Sequence, residues 1–157
     1  MRFFFMIVKA QIQDANLLTE IAISSKAYWG YSKEQMELWK DDLTVTPKMF
    51  ADCNIYKFQV NDITAGFYVL YRANIRTSFL DFLFVTPKFI NQGIGSKLLE
   101  HVKKSCISGS CAVLNVLSDP NSDAFYLKQG FEIIGKRESS IKGRFLSEME
   151  LYFPENM

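Results

Sequence analysis

Residues 79–99 read FLDFLFVTPKFINQGIGSKLL. An apolar run ends in a turn at Pro87. Gln92, Gly93, Ile94, Gly95 and Ser96 then lead into apolar positions at helical spacing. The stretch therefore predicts a buried strand, a glycine-opened turn and an amphipathic helix. Glycine at a helix start lets the backbone come close to a ligand, because no Cβ intervenes. The first N–H groups of a helix lack internal partners and carry the positive end of its dipole. Such a turn is suited to an anion, above all a phosphate. A second unusual run, DPNSDAFYLKQGF, follows at residues 119–131.

Composition bounds the rest. A chain of 157 residues predicts one domain over 1–157, and 48% hydrophobic content with 14 Phe predicts an aromatic-rich core. The formal charge of +1, from 18 basic and 17 acidic residues, argues against nucleic acid as a partner. Residues 3–8 are apolar but too short to span a membrane, and they lack a small-residue cleavage site, so they read as a first strand with no membrane partner. Cys53, Cys106 and Cys111 make no metal-ligand pattern, and only one histidine, His101, is present, so no metal is expected. An odd number of cysteines reads as reduced thiols in a cytoplasmic protein.

The pattern predicts strands over 4–10, 55–61, 64–71, 76–85, 112–117, 131–136 and 145–153, and helices over 15–27, 32–41, 94–106 and 122–129. Asp14 reads as an N-cap, with Leu17, Leu18, Ile21 and Ala22 on one helix face. Ser32 and Gln35 read as a capping box, Asn61-Asp62 as a hairpin turn, and residues 44–52 as a loop or a short helical turn. Ile94, Leu98, Leu99, Val102 and Cys106 should face inward. Lys103 and Lys104 suit that helix's C-terminal end, and Gly130 reads as a C′ cap. The order implies an α/β (α+β) mixed sheet with helices on both faces.

The two runs together resemble the GNAT superfamily of acyl-CoA-dependent N-acyltransferases. That family's phosphate pattern is Gln or Arg, two residues, Gly, one residue, then Gly or Ala. Gly93 and Gly95 fit it, Ile90 stands at its first position, and Gln92 is out of register. The family's Asn-x-x-Ala, Phe-Tyr and Gly-Phe elements are matched by Asn121, Ala124, Phe125, Tyr126, Gly130 and Phe131. The resemblance covers residues 63–153 well and the first sixty loosely. It implies a single GNAT-like domain whose central parallel strands splay apart. Acetyl-CoA would be the acyl donor, with pantetheine on the backbone of Phe84 and Val85 and pyrophosphate on the N–H groups from Gln92 to Ser96. Asn121 would contact pantetheine or cap its helix, and Trp29 and Tyr31 would line the acceptor pocket beside Tyr28 and Trp39. A closing hairpin over 139–153 would form the opposite wall, where Arg144 either binds an acidic group or lies in solvent. Dimers are common in the family, so a homodimer is among the expected states.

The implied chemistry is attack of a primary amine on a thioester, directly, with both substrates bound. The departing thiolate needs a proton. Tyr126 is the candidate donor, since a phenol with a pKa of about 10 lies near a thiol; packing beside Phe125 and Phe131 is the plainer reading. Asp81 interrupts an apolar strand and shares a face with Phe79, Leu83 and Val85. Partial desolvation would raise its pKa toward that of a useful base, and a partnered structural carboxylate is the alternative. Two other functions remain open at this point: a CoA-binding module without catalysis, and a dinucleotide-binding oxidoreductase domain. The latter is opposed by Leu98 at the third glycine position and by the lateness of the motif.

Overall fold

The computed structural model describes residues 4–154. The outermost ends of the expected domain, 1–3 and 155–157, lie outside the described residues. Seven strands form one sheet in the order β1-β2-β3-β4-β5-β7-β6. β1 (Phe5–Lys9) pairs antiparallel with β2 (Cys53–Val60). Asn61 and Asp62, at φ 47° and 70°, turn β2 into β3 (Ile63–Arg72). Consecutive left-handed residues are what a two-residue hairpin turn matched to strand twist demands. β4 (Thr77–Val85) and β5 (Val113–Ser118) are parallel, joined by α4 (Ile94–Ser108), and their ladder matches Thr77–Leu80 to Val113–Val116. β4 itself continues to Val85. β7 (Phe145–Tyr152) runs antiparallel between β5 and β6 (Glu132–Glu138). This is the expected α+β mixed sheet.

The chain divides into two compact units. The first contains the chain up to Leu70 together with Phe82–Glu100. Its core is aromatic: Phe67 packs 6.0 Å from Phe82 and 6.1 Å from Phe84, and Tyr56 stacks on Tyr68 at 5.6 Å. α1 (Ala15–Ala27) buries Ala15, Leu18, Ile21 and Ala22, while Leu17 stays exposed. Asp14 stands at the N-cap position of α1 as expected, but its side chain does not cap that helix. A 3-10 turn over Ile12–Asp14 precedes α1, so the Asp14 carboxylate caps backward. It accepts from the Gln11 N–H at 2.8 Å and pairs with Lys57 at 3.1 Å. α2 (Lys33–Leu38) opens as predicted, with Ser32 Oγ accepting from the Gln35 N–H. It ends short of Asp41, since Asp41 and Asp42 would oppose the negative helix end. Residues 47–52 are a true helix, α3 (Pro47–Asp52), with Thr46 before it and Pro47 at its first position.

Gly66 explains how closely β3 and β4 approach. A Cβ built there would lie 2.7 Å from the Phe84 carbonyl oxygen and 3.2 Å from Leu98 Cδ1. Gly66→Ala should therefore destabilise the protein by about 1–3 kcal/mol, the usual scale of overpacking. Chemical denaturation with an unchanged midpoint would show that β4 yields freely.

The second unit contains Tyr71–Asp81 and the chain from His101 onward. Leu114, Val116, Phe131 and Met149 are buried in it, as are Cys106 and Cys111. Burial pushes the Cys106 thiol up to about 12, aided by the neighbouring Cys111. The inward positions of α4 are as expected, with Ile94, Leu98, Leu99, Val102 and Cys106 all buried. Its C-terminal end is not: the helix runs two residues beyond Cys106 to Ser108. Lys103 therefore lies more than a turn inside. It donates to the Gln129 carbonyl at 2.8 Å instead.

Candidate active site

In the first unit the decisive feature is the start of α4. Asn91 and Gly93 take left-handed backbone, at φ 63° and 79°. The Gly93 carbonyl accepts the Lys97 N–H at 3.1 Å, which makes Gly93 the cap and puts Ile94, Gly95 and Ser96 in the first turn of the helix. No acidic side chain stands in that turn. A Cβ on Gly93 would meet nothing within 4 Å, so the protein leaves open space there. Gln92 and Ser96 are exposed, whereas the Ile94 side chain is buried. These residues fit a pyrophosphate: backbone donors, a positive helix end and no competing carboxylate. The Lys97 ammonium sits 4.4 Å from the Phe5 ring centroid.

β4 leads into this turn. The Phe84 carbonyl faces Gly66, and the Thr86 N–H donates to the Ala65 carbonyl at 2.8 Å, so both turn toward β3. Successive residues of a strand address opposite edges. The backbone groups of Leu83 and Val85 therefore face away from β3. Val85, one of the two residues whose backbone the resemblance puts against a ligand, thus turns away from β3, while the carbonyl of Phe84, the other, faces Gly66. The Phe84 side chain packs edge-on against Phe82 at 5.9 Å. The pattern of apolar residues could not reveal this, because an all-apolar strand does not show which edge each residue addresses.

Trp29 and Tyr31 differ in kind. Trp29 is 47% exposed, edge-on to Tyr28 at 5.3 Å. Tyr31 packs edge-on against buried Trp39 at 4.7 Å, with the Lys26 ammonium 5.5 Å from the Tyr31 ring and 4.8 Å from the Trp39 ring. Tyr31 is thus already engaged with a cation.

In the second unit, Asn121 and Tyr126 lie on one continuous turn. A 3-10 segment (Pro120–Ser122) enters α5 (Asp123–Lys128), which Gly130 closes at φ 101°. Asp119 Oδ1 accepts both the Asn121 backbone N–H at 2.9 Å and its Nδ2 at 3.0 Å. Arg144 is neither solvated nor free for a substrate acid, because it forms an ion pair with Asp119. Tyr126 is 6% exposed, and its ring contacts Phe125 at 5.1 Å and Phe131 at 5.3 Å. Burial raises the phenol well above its ordinary pKa, so it stays protonated throughout the neutral range. Asp81 stands on β4 next to buried Leu80 and on the exposed side with Phe79. Its side chain reaches solvent, yet partial burial of the carboxyl raises its pKa. Burial and neighbouring Lys104 lower the pKa of His101. No helix among the described residues is long and apolar enough to cross a membrane.

Comparison with known proteins gives this arrangement its context. No curated protein sequence matches significantly. The PaiA N-acetyltransferase of Thermoplasma acidophilum, solved with coenzyme A, superposes with a TM-score of 0.80 at 20% identity, covering 96% of this chain and 99% of that one. The ribosomal-protein-S18-alanine N-acetyltransferase of Escherichia coli gives 0.76 at 18% identity, covering 98% and 97%. A GNAT acetyltransferase of Elizabethkingia anophelis with acetyl-CoA bound gives 0.70 at 20% identity, covering 95% and 98%. At these identities the likeness establishes the fold. Residues 30–153, most of the chain, match the acetyltransferase (GNAT) domain, so this protein belongs to the GNAT family of acetyltransferases.

Proposed function

We propose that the whole chain serves as one catalytic domain that transfers an acetyl group from acetyl-CoA to a primary amine, by direct attack with both substrates bound. The observation that carries this reading is the start of α4, where Gly93 at φ 79° opens a helix N-terminus without acidic residues in a chain of the GNAT family. Acetyl-CoA supplies the activated acyl group as a thioester. The N–H groups of the turn from Gln92 to Ser96 hold its pyrophosphate, and the outward backbone of Val85 and Leu83 pairs with its pantetheine. Tyr126 donates a proton to the departing thiolate, and Asn121 contacts the pantetheine. Trp29 and Tyr31 line the amine side. Asp81 receives the amine's proton, directly or through water. The dinucleotide reading falls away, since the chain belongs to the GNAT family. A cytoplasmic setting fits three cysteines that form no disulfide, two of them buried.

The test is a panel of primary amines with acetyl-CoA, read as release of free CoA thiol and as mass gain of the amine. Release that requires both substrates is the expected result. Thiol release with no amine acetylated would overturn the reading. Acetyl-CoA at a hundredfold excess over its Kd should also stabilise the fold by about 2.7 kcal/mol.

Asp81 gives a separate expectation. Its raised pKa means the base form is lost at a higher pH than for an ordinary aspartate, so the rate should fall as pH drops through that value. Asp81→Asn should keep acetyl-CoA affinity and lose roughly 10²-fold or more of the turnover at neutral pH. Much of the rate should return at alkaline pH, where the amine is already neutral. Unchanged turnover across pH would make Asp81 structural.

A further inference from the structure

Two buried thiols of the second unit have no part in the chemistry above. Cys106 is 2% exposed and Cys111 5% exposed, and the turn that ends α4 brings them together. Ser110 takes left-handed backbone at φ 60°. Its N–H donates to the Ile107 carbonyl at 3.1 Å, and the Cys111 N–H reaches back to the Cys106 carbonyl at 2.9 Å. These are the two bonds of a Schellman motif, in which the residue after the left-handed one packs on the last turn of the helix. Here that packing sets one thiol against the other, and the Cys106 and Cys111 side chains interact directly. A backbone hydrogen bond between two residues also keeps their Cα atoms within the roughly 4.4–6.8 Å that a disulfide spans.

The two thiols differ in access. Cys111 lines a cavity of about 310 Å³ together with Arg76, Ile107, Ser110 and Phe153, and Cys106 is not among its walls. Hydrogen peroxide is little larger than water, which occupies about 30 Å³ in the liquid, so the cavity has room for it. Burial, and then the neighbouring Cys111, push the Cys106 thiol up to about 12, while Arg72 opposes them. Cys106 is therefore a poor first nucleophile. It suits a second step, in which the sulfur it attacks is already in contact. Arg72 is fixed at the same turn, where its guanidinium donates to the Gly109 carbonyl at 2.6 Å.

We propose that Cys106 and Cys111 form a reversible redox latch on the end of α4, closed by hydrogen peroxide and opened by a dithiol reductant. The Cys111 sulfur attacks one peroxide oxygen, the O–O bond breaks, and the departing hydroxide takes the thiol's proton and leaves as water. The Cys106 sulfur then attacks the Cys111 sulfenic acid. The S–S bond forms, the S–O bond breaks, and a second water leaves with the Cys106 proton. The two thiols lose two electrons, which the peroxide gains. The disulfide closes a ring over Ile107–Ser110 and fixes the turn that leads from α4 into β5. In a cytoplasmic setting such a bond is transient and reports oxidation. The latch does not rest on the acetyl-CoA reading.

The test treats folded Cys53→Ala protein with excess hydrogen peroxide, blocks the remaining thiols with iodoacetamide, and weighs the tryptic peptide 105–128. That peptide holds both cysteines, since no Lys or Arg lies between Lys104 and Lys128. The expected product is unalkylated and lighter by two hydrogens, and dithiothreitol restores two alkylatable thiols. The oxidised protein should need more urea to unfold, a shift that dithiothreitol reverses and Cys106→Ala abolishes. Cys106→Ala should also stop at the sulfenic acid, trapped by dimedone on Cys111. If that variant does not fold, the peptide mass alone decides. Two alkylated cysteines after peroxide would overturn the latch. So would a Cys111 sulfinic acid beside an alkylatable Cys106, or a disulfide that forms only once urea has unfolded the chain.

Discussion

Tyr126→Phe should leave the fold and acetyl-CoA affinity in place and cut the acyl-transfer rate roughly 10²-fold or more, the usual scale for a lost general acid. The substitution removes one hydroxyl and keeps the ring that packs edge-on against Phe125 and Phe131. A change confined to packing would therefore cost little, so a large loss of rate would isolate the proton. Burial sharpens the expectation. The phenol's raised pKa keeps the proton in place beyond the range where an exposed tyrosine would lose it. The parent rate should thus not decline through deprotonation of Tyr126 as pH nears 10, the ordinary phenol value. The same raised pKa makes the phenol a reluctant donor, so the thiol's acidity matters. An acyl donor with a more acidic thiol needs less help, and the gap between parent and variant should narrow with it. A Tyr126→Phe protein that turns over acetyl-CoA at the parent rate would reduce Tyr126 to a core aromatic.

What the sequence made legible was whatever is encoded locally. The five inward residues of α4 repeat at helical spacing, and burial follows that spacing because a helix on a sheet has one apolar face. Gly93 and Gly130 stand where left-handed backbone is needed, and both have positive φ. The Asn61-Asp62 hairpin is of the same kind. Legibility ended where a residue's partner comes from far along the chain. Arg144 and Asp119 are 25 positions apart, and nothing in either local pattern records their pairing. Asp14 holds the N-cap position that the sequence indicates, but a 3-10 turn ahead of it and Lys57, 43 positions on, claim its carboxylate. Phe84 and Leu83 are indistinguishable as apolar strand residues; only the register with β3 decides which one turns its backbone outward. The six residues of α3 carry too little periodicity to separate a helix from a turn.

Gly95→Val should weaken acetyl-CoA binding more than tenfold, or at least about 1.4 kcal/mol. Gly95 is the second residue of α4, in the first turn of the helix. A ligand held by the N–H groups of that turn must come within hydrogen-bonding distance of the main chain. A branched side chain at that position would crowd the approach and stiffen the turn. Gly93 offers a contrast, since its Cβ would enter open space while its φ of 79° penalises any L side chain. Gly93→Ala should therefore strain the turn by about 1–3 kcal/mol and appear first as lost stability. Gly95→Val should appear first as lost affinity. Inorganic pyrophosphate supplies a control for the donor's remaining parts. It should compete with acetyl-CoA on the parent protein, and its own binding should fall with Gly95→Val in step with acetyl-CoA. Calorimetry on a folded Gly95→Val protein that returned the parent affinity for both ligands would remove the phosphate from this turn, and with it the main support for donor binding at the start of α4.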